Sequence, residues 1–242
     1  MKNLRLFAVL LGIILVFAPQ SFAEDKSWGN QAELSFVDTG GNTDLMSVSG
    51  KNLLTYKFNE KFKGAWKIAA LYGETDGEKN AESYLTELRL DYLITEKLFA
   101  YGVAGWMKDE FAGIKAKYYL GPGVGYVFLN GPKNFLSAEA GVNYTSDEYT
   151  DNTERDYAGG RTFAKYEYAF TEKNRLSQSA EFLYDFDDNE NYVIISETAL
   201  KSAINDSLSL KASYIVTYDN QPVPKTLEET DTILALTLVV NF

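Results

Sequence analysis

Thr230-Asp231-Thr232-Ile233-Leu234-Ala235-Leu236-Thr237-Leu238-Val239-Val240-Asn241-Phe242 is the stretch that decides the fold. Thr232, Leu234, Leu236, Leu238, Val240 and Phe242 fall on one side of an extended chain. Asp231, Ile233, Ala235, Thr237, Val239 and Asn241 fall on the other. Side chains of a strand alternate with period two, whereas a helix needs an apolar stripe of period 3.6. The stretch is therefore an amphipathic strand with one strongly apolar face.

The same alternation runs backward through the sequence. Leu208, Leu210, Ala212, Tyr214, Val216 and Tyr218 oppose Ser209, Lys211, Ser213, Thr217 and Asp219. Earlier, Tyr84, Thr86, Leu88, Leu90 and Tyr92 oppose Glu87, Arg89 and Asp91. Continued to the start, the pattern predicts twelve strands: 28–38, 44–58, 62–74, 81–92, 98–108, 115–129, 135–146, 157–170, 175–186, 191–203, 207–219 and 230–242. These exceed the ~5–6 residues usual in soluble sheets. The fold expected is all-β, an antiparallel up-and-down transmembrane β-barrel. Ten or fourteen strands are the neighbouring counts, because closing a meander requires an even number.

Connections and aromatics orient the barrel. The second, fourth, sixth, eighth and tenth connections are tight, while the odd ones are mostly longer and hold the excess of acids. Short periplasmic turns and long outer loops distinguish the two ends of such barrels. Tyr56, Phe58, Tyr126, Phe128, Tyr168, Phe170 and Phe242 fall near the periplasmic strand ends. Tyr72, Tyr84, Tyr144, Tyr184, Phe186 and Tyr218 fall near the outer ends. Two such levels are expected where aromatic rings meet lipid headgroups.

The N-terminus adds an export signal. Lys2 and Arg5 precede an apolar run from Leu6 to Ala18, and Ser21-Phe22-Ala23 offers a small-residue cleavage site. The run is shorter than the ~20 residues a spanning helix needs. Residues 1–23 are thus expected to be a signal peptide cleaved after Ala23, leaving one barrel domain, 24–242.

Composition narrows the function. The chain has no Cys, so no disulfide holds it together, and no His, which removes the commonest catalytic base and metal ligand. A net charge of −11 excludes nucleic acid as a natural partner. The partners expected are outer-membrane lipid, lipopolysaccharide, and the barrel assembly machinery acting on the final strand and its terminal Phe242.

Several segments resemble the YdiY-like family of salt-induced outer-membrane proteins, otherwise a domain of unknown function. They are Leu34 to Thr43, Tyr101-Gly102-Val103-Ala104-Gly105-Trp106, Asp109 to Ile114, Tyr119 to Tyr126, Tyr214 to Pro222 and Thr230-Asp231-Thr232. Pro122 stands where a smaller residue is expected. The resemblance implies an outer-membrane barrel linked to salt or osmotic stress, with no established reaction.

Three groups of residues bear on chemistry. Gly121-Pro122-Gly123-Val124-Gly125 runs on into strand, not helix, so it is not a nucleotide loop. Its glycines are expected to leave room for luminal neighbours. Asp185, Asp187, Asp188 and Glu190 form an acidic outer turn, read first as a solvated turn and second as a weak site for a divalent cation, which takes six to eight oxygens; divalent cations are also expected to steady the acidic loop Asp147 to Asp156. Glu33, Lys51, Lys67, Glu87, Arg89, Lys117, Glu139, Arg161, Glu167, Glu181, Glu197 and Lys211 are expected to face the lumen with both signs present. Such charges pair and brace the interior, or line a mixed-charge channel. A carboxylate pair such as Glu87 and Glu139 suits acid–base work in principle, but no spacing singles it out. The readings are, in order, a structural or stress-response envelope barrel, a narrow porin-like channel for small solutes, and a His-independent enzyme. No catalytic residue and no cofactor is expected.

Overall fold

Four times the chain reverses on one short pattern: Asn59-Glu60-Lys61, Thr95-Glu96-Lys97, Thr171-Glu172-Lys173 and Asn205-Asp206-Ser207. In each, the leading Asn or Thr oxygen accepts the backbone N–H groups two and three residues on, at 2.9–3.3 Å. Asn and Thr favour such turns because their short side chains substitute for a backbone acceptor. The repeated turn fixes one end of the molecule.

Between these turns stand twelve strands. They are β1 (Trp28–Thr39), β2 (Leu45–Lys57), β3 (Phe62–Thr75), β4 (Glu78–Leu93), β5 (Leu98–Asp109), β6 (Ile114–Asn130), β7 (Asn134–Tyr149), β8 (Glu154–Ala169), β9 (Asn174–Asp185), β10 (Tyr192–Ala203), β11 (Leu208–Asp219) and β12 (Thr230–Asn241). The computed structural model describes residues 27–39 and 45–242. The expected signal peptide and most of the first outer connection lie outside them. Each strand pairs antiparallel with its sequence neighbours, and β1 meets β12 over Gln31↔Asn241 to Leu34↔Leu238, closing the barrel. The seam is short, extended by the Ser35 hydroxyl donating to the Leu236 carbonyl, but it leaves neither end strand wholly free, and an all-β chain in lipid requires closure.

The registers keep sidedness constant around the ring. Glu33 lies opposite Lys51, Lys67 opposite Glu87, Lys117 opposite Asp147 and Gly141 opposite Arg161. Away from the bulges near Gly73, Asp109, Ala116 and Leu129, odd-numbered strand residues therefore face the lumen and even-numbered ones face outward. The outward face is apolar: Leu88, Leu120, Val142, Leu234 and Leu236 are 54–80% exposed. A soluble protein would not leave such a belt in water. Outward aromatics touch one another at both rims. At the turn end, Trp28, Tyr56, Phe58 and Phe62 form one chain at 4.4–5.1 Å. At the other end Phe182, Tyr184, Tyr192 and Tyr218 form another at 5.8–6.1 Å.

The outer connections differ from expectation. Asp76 and Gly77, at φ 52° and 80°, join β3 to β4 directly, so the expected loop over 75–80 is mostly strand. Asp-Gly suits a two-residue hairpin that needs positive φ twice. β7 and β8 each run three residues further than expected, leaving 150–153 between them. Strands of this length outreach the roughly 9–11 residues that cross a bilayer. Above it their ladders continue, because backbone pairing does not depend on lipid. Among the described residues, only the β9–β10 and β11–β12 loops exceed the periplasmic turns in length.

Candidate functional site

Glycines shape one wall of the lumen. Phe99 and Tyr101 on β5 lie flat over Gly125 and Gly123 on β6; a Cβ on those glycines would come within 2.1 and 2.3 Å of the rings. Tyr119 lies likewise over Gly105. The flattened Tyr101 ring is a platform for Arg89, whose guanidinium sits 4.3 Å from its centroid. Cation and ring face attract through the ring quadrupole. Arg89 donates two bonds to Glu139, at 2.9 and 3.0 Å, and a third to Asp91 at 2.8 Å. Arg161 donates to Glu139 at 2.8 Å and to the Tyr101 hydroxyl at 3.1 Å, and pairs with Glu181. Beside them, Glu87 accepts from Tyr119 at 2.6 Å and pairs with Lys67 at 3.3 Å.

This stack makes a stability prediction. Gly123→Val should lower stability by about 1–3 kcal/mol, the usual cost of overpacking. Combining it with Tyr101→Ala should cost less than the two single changes summed, since the clash partner is gone. Urea unfolding of the barrel, followed by tryptophan fluorescence, measures both. Strict additivity would mean that ring and glycine do not touch.

The facing wall carries a separate tetrad. Lys211 bridges Glu33 and Glu197, each at 3.0 Å. Gln31 also donates to Glu33, at 2.8 Å. Lys51 reaches Glu33 only at 3.7 Å, beyond ordinary hydrogen-bond length. Near the turn end, Glu167 pairs with Lys165 and Arg175, both at 2.6 Å. All the expected luminal charges thus find partners, along with Asp91, Asp147, Arg155, Lys165, Tyr101 and Tyr119, which were not among them. Their odd numbering within strands was the signal.

Asp147 corrects an expectation. Sequence reading placed it in an outer loop, but it lies on β7 with its side chain 1% exposed, 3.5 Å from Lys117 and bonded by Tyr149. The acidic turn is similarly divided. Asp185 turns inward to Arg155 at 2.5 Å and accepts from Asn191 and the Asp187 N–H. Asp188 caps the Glu190 N–H and lies 3.6 Å from Arg155. Among the described residues, no three acidic side chains gather as a metal site. In the β7–β8 loop, the hydroxyl and N–H of Thr153 hold Asp151 below the ordinary carboxylate range.

Two features shape the lumen and its mouth. First, among the described residues no ion pair links strands more than three apart round the ring; Arg89–Glu139, β4 to β7, spans the most. The opposite wall is six strands away, so the charges run along walls. A cavity of about 260 Å³ remains, floored by the Glu33–Lys51–Glu197–Lys211 tetrad. Second, the loop 220–229 between β11 and β12 crosses the outer mouth. Its Val223 carbonyl packs against Gly113, where a Cβ would come within 1.7 Å, and Leu227 packs beside it. Gly113 sits between β5 and β6, diametrically opposite, with φ +76°. At its near end Asn220 donates to the Glu190 carbonyl at 2.7 Å. The segment is a strap across the mouth. Gln221-Pro222-Val223-Pro224, two stiff prolines around an apolar residue, was its sequence signal.

Comparison with known proteins agrees with this architecture. Uncharacterized protein YdiY of Escherichia coli (strain K12) is 27% identical over 213 residues, covering 88% of this chain and 82% of the relative. An outer membrane channel, COG4313, from Pseudomonas putida F1 superposes with TM-score 0.57 at 10% identity, covering 93% of this chain and 98% of the channel. The translocator domain of the autotransporter NalP from Neisseria meningitidis gives 0.54 at 12% identity, covering 100% and 94%. The NanC porin gives 0.52 at 4% identity, covering 88% and 97%. At these identities the likeness is one of fold, that of outer-membrane barrels. Residues 32–242 match the family described as "Protein of unknown function, DUF481", and the chain belongs to that family.

Proposed function

We propose that this protein is an outer-membrane channel for small solutes, narrow in its lumen and strapped at its outer mouth. The observation that carries the reading is the arrangement of ion pairs along the walls, with a cavity of about 260 Å³ beside the Glu33–Lys51–Glu197–Lys211 tetrad. A barrel serving only as scaffold would be braced across its diameter, and these pairs span three strands at most. Export uses residues 1–23, and assembly uses the final strand ending at Phe242. The apolar belt contacts lipid, and the acidic outer end meets lipopolysaccharide. The resemblance to salt-induced proteins fits a passage that works under osmotic load. No enzymatic step is included: Glu87 is paired with Lys67, Glu139 is paired with Arg89 and Arg161, and nothing sets the two apart for acid–base work.

Planar-bilayer recording tests this. The refolded protein should give small, discrete conductance steps that close and reopen as the strap moves. Silence from both the intact barrel and a variant without the strap would refute the channel.

A further inference from the structure

The interior of a membrane barrel is normally polar, yet one sector of this lumen is not. Leu71 on β3, Leu85 on β4, Ile215 on β11 and Ile233 on β12 all face inward around the cavity. Apolar side chains that merely filled space would close on one another. Here Ile215 and Ile233 form one cross-strand pair and Leu71 and Leu85 lie on the adjacent strands β3 and β4, the two pairs flanking about 260 Å³, and Ile233 remains 43% exposed. Surface of this kind is stabilised by covering it with apolar matter.

The floor beneath that sector has a definite polarity. Lys211 holds Glu33 and Glu197 with contacts of 3.0 Å to each, and only with Lys51 do the two cations balance the two carboxylates. Lys51 is left with one long contact, 3.7 Å to Glu33, and its side chain is 37% exposed at the base of the cavity. Its ammonium has three donors and no acceptor, and Glu33 already takes bonds from Lys211 and Gln31. The site therefore presents apolar walls above one under-used cation. Lys211 lies opposite Thr237 and Ile215 opposite Ile233. Along the strands Ile215 lies four residues beyond Lys211, and Leu71 lies two beyond Ala69, the partner of Lys51, distances of roughly 13 and 7 Å at ~3.3 Å per residue that bracket an extended chain of about eight carbons.

We infer that this cavity binds small amphipathic anions: a carboxylate on Lys51, and an aliphatic body along Leu71, Leu85, Ile215 and Ile233. The inference deepens the channel reading by naming the solute class that the lumen selects. The size is near the lower limit of small-molecule pockets, which are mostly apolar with a few placed polar groups.

The test uses the full barrel refolded in nanodiscs, with octanoate, octanamide and octylammonium as probes in equilibrium dialysis against empty nanodiscs. Octanoate should bind saturably and about tenfold more tightly than octylammonium. Lys51→Met should remove that preference, Lys51→Arg should retain it, and Ile233→Thr should weaken octanoate and octanamide alike. Heat-modifiable migration in gels verifies folding of each variant. Equal binding of the two ions, or octanoate binding untouched by Lys51→Met, would overturn the assignment. The channel reading fails separately. Saturable octanoate binding in a barrel that never conducts supports the pocket and removes the channel; conductance without saturable binding removes the pocket alone.

Discussion

Leu236→Arg is expected to all but abolish folded barrel in the membrane fraction, while Ala235→Arg leaves it near the wild-type level. Leu236 lies mid-way along β12, points outward and is 66% exposed, between Leu234 and Leu238 on the same belt. An Arg at the bilayer midplane costs roughly 2–4 kcal/mol, equivalent to roughly a 30- to several-hundred-fold loss of folded population. Ala235 sits one residue away at nearly the same depth but lines the cavity, near Glu33 and Glu197. An Arg there gains carboxylates instead of meeting lipid. Thr237 lies on the same face as Ala235 in the alternation of β12. The structure disfavours it as the luminal control, because Thr237 is 6% exposed and an Arg there would be overpacked. The readout is the heat-modifiable band from membranes. Equal yields from the two variants would mean that the faces of β12 are assigned the wrong way round.

Replacing residues 220–228 by Asn-Gly is expected to raise single-channel conductance severalfold and to abolish its closures. Asp219 donates to the Glu229 carbonyl, and Tyr218 pairs with Thr230. A two-residue turn therefore joins β11 to β12 without disturbing the ladder, and Asn-Gly suits the positive φ values such a turn needs. What is removed is the span from Asn220, anchored at Glu190, to Val223 and Leu227, seated at Gly113. A milder change makes the same point. Gly113→Val puts a side chain where the Val223 carbonyl lies, so it should unseat the strap and raise conductance with the loop intact. If both variants conduct like the wild type, the constriction lies at the charged walls and the strap is a passive surface loop.

The strands illustrate what a local pattern determines. All twelve expected strands exist, with ends displaced by three residues at most. Sidedness was legible because alternation is fixed by the backbone of each strand separately, so Leu236 and Lys211 reveal their faces without knowledge of any neighbour. Strand ends were less legible. Where strands rise above the lipid, polarity no longer alternates with environment, and Asp147 and Glu148 read as loop although they belong to β7.

The luminal site divides along the same line. The sequence by itself determined an even-stranded barrel, its apolar outside, its charged inside and the glycines of β6, because these depend on residue type and period-two spacing. Only the tertiary structure decided that Arg89 meets Glu139, fifty positions away, and that Lys211 meets Glu33 across 178. It alone placed the β11–β12 loop on Gly113 and left Lys51 beneath an apolar sector. Those choices follow from closure and register: once β1 joins β12, the heights of all luminal side chains are set relative to one another. No local stretch of chain contains that information.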